Sequence, residues 1–137
     1  MITTGGTGGH VFPGLAVAAK LAERGADVFW AGTREGMEAD LAPKHGVAFK
    51  PVSFRGVRGK GLKTLLLGPY ALFAACVEAW SILRRRKPDV VLGLGGFASF
   101  PGALMAVATG RPLVLHGSNA VAGLANGVLA WGADRVL

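Results

Sequence analysis

Short apolar runs and helical repeats alternate along the chain, punctuated by glycine and proline. Residues 1–4 read as a brief strand, and behind Pro13 the residues Leu15, Val17, Ala18 and Leu21 recur at helical spacing until Gly25. The run through Val28, Phe29 and Trp30 predicts a second strand over 27–31. Residues 37–45 predict a short helix with Met37 and Leu41 facing inward, and 47–52 a third strand. A basic, glycine-spaced segment over 53–63 interrupts the alternation. A long helix is expected next, over 62–86, with Gly68 and Pro69 inside and Arg84, Arg85 and Arg86 at the end where the helix dipole favours cations. After Pro88, Val90-Val91-Leu92 is a strand without polar interruption, as expected where helices cover both faces. A helix opened by Pro101, a strand over 113–115, a helix over 120–131 and a strand over 135–137 complete the pattern.

This alternation predicts an α/β fold, a doubly wound Rossmann-like parallel sheet with strand order 3-2-1-4-5-6. Strands one and four then lie side by side, and each runs into a glycine cluster. These are Gly5-Gly6-Thr7-Gly8-Gly9-His10 and Gly93-Leu94-Gly95-Gly96-Phe97-Ala98-Ser99. Both clusters would face the crevice at the carboxyl edge of the sheet, where open α/β sheets bind ligands. The loop after strand five, His116-Gly117-Ser118-Asn119, would sit beside them. Thr7, His10, Ser99, His116 and Asn119 are therefore expected to converge. Backbone N–H groups at a glycine turn and a helix N-terminus suit an anion; the plainer reading is a tight turn.

Composition narrows the chemistry. A chain of 137 residues, 51% apolar and 17% charged, is one globular domain. Its single Cys76 precludes an internal disulfide and lies in an apolar helix, as a packed thiol in a reducing compartment would. His10, His45 and His116 are too dispersed for a zinc site. A net charge of +7 favours anionic partners. The basic segment lacks the interleaved aromatics of a nucleic-acid surface, Phe54 apart, so no nucleic-acid partner is expected. No secretory signal is expected, since the first apolar helix carries Lys20, Glu23 and Arg24 and follows the glycine loop, and the apolar run 64–77 is too short to span a bilayer.

Two nucleotide motifs fail. A P-loop needs Lys-Ser or Lys-Thr where His10-Val11 stands, and the dinucleotide fingerprint lacks its third glycine in register and its ribose-binding acid near Ala31-Gly32-Thr33. Neither a nicotinamide cofactor nor any other cofactor is implied. The stretch from Gly5 to Ala16, GGTGGHVFPGLA, instead resembles the N-terminal signature of the MurG family. These bacterial N-acetylglucosaminyltransferases convert lipid I to lipid II in peptidoglycan synthesis. Met37-Glu38-Ala39-Asp40-Leu41, Arg58-Gly59-Lys60-Gly61, residues 87–93 and Ala122-Gly123-Leu124-Ala125-Asn126 agree in order, as does Gly95-Gly96-Phe97-Ala98-Ser99, with Phe97 where the family commonly has tyrosine.

The resemblance implies the GT-B architecture, two Rossmann-like domains facing across a cleft with no essential metal. It implies that residues 1–137 are the N-terminal, acceptor-side domain, that the C-terminal donor-binding domain is absent, and that the chain alone is inactive. The substrates implied are UDP-N-acetylglucosamine and lipid I, the undecaprenyl-pyrophosphoryl-muramyl-pentapeptide. By the same resemblance His10 is a candidate base for the attacking sugar hydroxyl, or a residue that orients the loop. Thr7, Gly8, Gly9 and Asn119 match donor-sugar contacts, with helix capping the other role open to Thr7. Gly95, Gly96, Phe97, Ser99, His116 and Asn126 are candidates for the acceptor or its pyrophosphate, Ser99 alternatively being an N-cap. Where the family has His-Glu-Gln-Asn, this chain has His116-Gly117-Ser118-Asn119, without the carboxylate.

A peripheral position at the cytoplasmic face of the cell membrane is also implied. Lys60, Lys63, Leu66, Tyr70, Phe73, Arg84, Arg85 and Arg86 could rest on an anionic lipid surface. The alternative is a helix that packs on the sheet with a solvated basic end. A further alternative for the chain is a non-catalytic module that binds a nucleotide-sugar or a pyrophosphate lipid.

Overall fold

A computed structural model describes residues 1–5, 8–54, 62–117 and 131–137, with the backbone only for 62–67. The elements run β1 (Ile2–Thr3), α1 (Gly8–Glu23), β2 (Phe29–Gly32), α2 (Met37–Lys44), β3 (Ala48–Pro51), α3 (Leu62–Arg86), β4 (Val91–Gly93), α4 (Ser99–Ala108), β5 (Leu113–Leu115) and β6 (Arg135–Val136). They form one parallel sheet in the order β3-β2-β1-β4-β5-β6, as the alternation predicts. β1 is central: Ile2 pairs with Trp30 on one side and Leu92 on the other.

Successive side chains of a strand point to opposite faces, and the core divides accordingly. Phe29 and Ala31 join Val91, Leu113 and Leu115 beneath Ala75 and Leu83 of α3 and Ala103 and Ala106 of α4. Ile2 and Trp30 join Val11, Leu15 and Ala18 of α1 and Ala42 of α2 on the other face. Trp30 is fully buried, and a Cβ at Gly14 of α1 would stand 2.5 Å from its ring. α1 can therefore lie this close to the sheet only because residue 14 has no side chain.

Two expectations are corrected. α1 begins at Gly8, so Pro13 lies inside it, and Gly8, Gly9 and His10 form its first turn instead of a loop before it. α2 is rotated from the orientation its apolar residues suggest: Met37 is 44% exposed, Leu41 is partly buried, and Glu38 and Ala42 face inward. The expected helix over 120–131 and the basic segment over 55–61 lie outside the described residues, apart from Trp131, which is exposed.

Candidate functional site

The ends of β1, β4 and β5 deliver three chain segments to the carboxyl edge of the sheet, and short bonds hold them together. Leu94 donates its N–H to the Thr3 carbonyl at 3.1 Å, and His116 donates to Gly93 at 2.9 Å. The buried Thr4 hydroxyl donates to the Gly95 carbonyl at 3.0 Å. Beyond these bonds the two glycine loops touch directly. Gly95 and Gly96 have φ of +92° and +81°, and a Cβ on Gly96 would collide with the Gly5 carbonyl. Glycine is required at 96 on two counts, its left-handed backbone and the space it leaves. Gly5 is required by space alone, since a Cβ there would stand 2.5 Å from the Ala98 Cβ.

Turns that include left-handed glycines can direct backbone N–H groups toward an anion. The first turn of α1, from Gly8, lies at the positive end of a helix dipole. Gly8 and His10 are half-buried and Gly9 is exposed there; His116 is half-buried at the end of β5. Phe97 is 57% exposed in the second loop, so its ring is open to a ligand.

Ser99 behaves differently from either role considered for it. It is the first residue of α4, behind an N-cap at Ala98 that has no side-chain bond. Its hydroxyl donates to the Gly96 carbonyl at 2.8 Å, and the residue is 1% exposed. It braces the loop from within, because a serine hydroxyl one helical turn past a carbonyl reaches it readily. Thr7, Asn119, Asn126 and Lys60 lie outside the described residues, as do the side chains of Lys63 and Leu66. Among the described residues no group of three or more His, Cys, Asp or Glu could hold a metal ion.

One residue beside the loops carried no role in the sequence. Glu38, in the first turn of α2, is fully buried. Its Oε1 accepts the Thr33 N–H and the Thr33 hydroxyl, each at 2.9 Å, while Oε2 has no partner among the described residues. Leaving such a group unpaired costs about 1–3 kcal/mol or more. The signal was present as glycines at 32 and 36 around Thr33, ahead of an acid in a first helical turn.

The long helix presents a second surface. Tyr70, Phe73, Val77 and Trp80 recur at spacings of one helical face and are 73%, 67%, 46% and 39% exposed. The exposed Arg84, Arg85 and Arg86 follow, with the Arg84 guanidinium 5.0 Å from the centre of the Trp80 ring. The opposite face, through Ala75, Ala79 and Leu83, is buried. Among the described residues no helix is long and apolar enough to cross a membrane.

Comparison with known proteins gives this geometry a setting. The family model of the glycosyltransferase family 28 N-terminal domain matches residues 1–137. The UDP-N-acetylglucosamine--N-acetylmuramyl-(pentapeptide) pyrophosphoryl-undecaprenol N-acetylglucosamine transferase of Paraburkholderia xenovorans strain LB400 is 58% identical over all of this chain and 37% of its own length. The protein of the same name from Burkholderia ambifaria strain MC40-6 is 57% identical over the same span. The crystal structure of Acinetobacter baumannii MurG superposes with a TM-score of 0.86 at 37% identity, over 99% of this chain and 39% of that one. A calicheamicin glycosyltransferase shares the fold, with a TM-score of 0.62 at 21% identity. The chain spans a little over a third of the length of the curated relatives it matches, 37% in the first case.

Proposed function

From the premise that this chain belongs to glycosyltransferase family 28, as its N-terminal domain, we propose that it forms the acceptor side of a cleft in which N-acetylglucosamine is transferred from UDP-N-acetylglucosamine to the muramyl sugar of lipid I. The product is lipid II, the peptidoglycan precursor. The observation that carries this reading is the interlock of two glycine loops at one sheet edge, in a chain 58% identical to a transferase of that name.

In this reading a hydroxyl of the acceptor sugar attacks the anomeric carbon of the donor. The new C–O bond forms as the bond to the UDP oxygen breaks, UDP leaves with the electron pair, and the hydroxyl proton goes to a base. His10, in the first turn of α1, is the candidate base, and an imidazole suits that work near neutral pH. Gly8 and Gly9, with Thr7 and Asn119, contact the donor sugar. The left-handed pair Gly95-Gly96 offers N–H groups to the acceptor pyrophosphate, and the exposed ring of Phe97 offers a face to its sugar. His116 borders the same edge, and Asn126 is a further acceptor candidate. Ser99 supports this site without entering it.

The stripe Tyr70, Phe73, Val77 and Trp80, bordered by Arg84–Arg86, is proposed to rest on the anionic cytoplasmic face of the membrane, where a lipid-linked acceptor resides. A second domain, carrying the main nucleotide contacts, is proposed to complete the cleft. A non-catalytic binding module is the second reading, favoured by Gly117 and Ser118 where the family has Glu-Gln.

Titration calorimetry of the 137-residue chain with a short-chain lipid I analogue and with UDP-N-acetylglucosamine tests the reading. Saturable binding of the lipid I analogue, weaker binding of the nucleotide-sugar and no transfer of labelled N-acetylglucosamine are expected. Loss of binding to the lipid I analogue altogether would overturn the acceptor-side assignment.

A further inference from the structure

Behind the first glycine loop lies a carboxylate to which the transfer reaction assigns nothing. Glu38 is fully buried on α2. Three residues without side chains surround it. A Cβ on Gly5 would stand 2.6 Å from Oε1, and one on Gly32 would stand 2.6 Å from Cγ; one on Gly36 would overlap the carboxylate. Gly5 is thus held between two neighbours, Glu38 on one side and Ala98 of the second loop on the other, while its carbonyl meets Gly96. The bonds from Thr33 to Oε1 fix the carboxylate to the end of β2. A continuous line of contacts therefore runs from α2 through Glu38 and Gly5 to both Ala98 and Gly96.

We propose that Glu38 is a positioning residue that sets the separation of the two glycine loops. Its side chain acts as a spacer of defined length between α2 and the root of the first loop. Oε1 locks that spacer to Thr33 and faces Gly5, while the carboxyl group as a whole fills the space left by Gly36. A buried carboxyl oxygen without a partner among the described residues, beside a candidate site, is where function is expected to be retained against local cost. Spacing, not charge, is the contribution, so glutamine should serve and alanine should not.

The spacing itself stands on these contacts, whereas its effect on ligand binding rests on the acceptor-side reading above. The test uses the 137-residue chain labelled with 15N-glycine, and a short-chain lipid I analogue as ligand. Glu38→Ala is expected to shift the amide resonances of Gly95 and Gly96, which lie across Gly5 from the substitution. It should also weaken the analogue at least tenfold, and Glu38→Gln should restore both. Ala42→Gly, on the same helix but facing the Trp30 cluster, is expected to lower the melting temperature while leaving both readouts in place. Unmoved Gly95 and Gly96 resonances in Glu38→Ala, or equal shifts in Ala42→Gly, would overturn the proposal. Should Glu38→Ala fail to fold, Glu38→Asp withdraws the carboxylate by one methylene and is expected to move the same two resonances; no movement again counts against it. If the parent chain does not bind the analogue, the acceptor-side reading fails while the resonances still decide the spacing.

Discussion

Gly96 combines a left-handed backbone with a close neighbour, the Gly5 carbonyl, two kinds of constraint that Gly110 and Gly5 carry singly. Gly110 also has a positive φ, of +66°, yet nothing lies within 4 Å of where its Cβ would stand. Alanine at 110 meets only the left-handed penalty of about 1–2 kcal/mol. Alanine at 96 adds displacement of the Gly5 carbonyl, an overpacking cost of about 1–3 kcal/mol. Gly96→Ala should therefore melt several degrees below Gly110→Ala in a thermal scan, and equal melting temperatures would contradict the close approach of the loops. Cys76 makes a second test at this scale. Burial pushes its thiol above the ordinary value of 9.0, so less of the reactive thiolate is present at any pH below that range. Alkylation by iodoacetamide at pH 8 is expected to be several-fold slower in the folded chain than in denaturant, with its pH–rate curve displaced upward. Matching rates would show the thiol to be unprotected.

Helices differ from strands in how far their orientation can be read from a pattern. In α3 the sequence leaves the orientation open between packing on the sheet and resting on a lipid surface; the structure turns Ala75, Ala79 and Leu83 inward and leaves Tyr70, Phe73, Val77 and Trp80 on the opposite side. An apolar stripe on the solvent side next to three arginines is costly in water and useful at an anionic interface. Phe73→Asp should weaken co-sedimentation with phosphatidylglycerol vesicles about tenfold at low salt with little change in melting temperature. The blue shift of Trp fluorescence on adding those vesicles should shrink in parallel. Binding unaffected by Phe73→Asp would leave the stripe without a lipid partner. In α2 the pattern misleads, because Met37 and Leu41 are its only large apolar side chains and its inward face includes a glutamate. Hydrophobicity points to Met37, but the space around Gly5, Gly32 and Gly36 accepts Glu38 instead.

At the scale of the whole molecule, the proposed acceptor-side role is tested by supplying the second domain that the proposal requires. The exposed Gly117 has open space around the position of a Cβ. Gly117→Glu, to be combined with Ser118→Gln, should then by itself leave stability within about 0.5 kcal/mol of the parent, as surface changes generally do. Fused to the C-terminal portion of the Paraburkholderia relative, the doubly substituted chain is expected to transfer N-acetylglucosamine at least tenfold faster than the parent fusion. Equal rates would show that the family carboxylate is dispensable here. The sequence by itself determined the order of elements, the parallel sheet and the delivery of both glycine clusters to one edge, because apolar periodicity and turn residues act locally and handedness rules do the rest. Only the tertiary structure decided that α1 starts at Gly8, that the Ser99 hydroxyl turns back to Gly96, and that Glu38 lies beneath the first loop. Each of the last two depends on the space between backbones brought together by the fold. The glycine cluster after β1 was legible as a site from its composition; the need for Gly5 became visible only with Ala98 and Glu38 on either side of it.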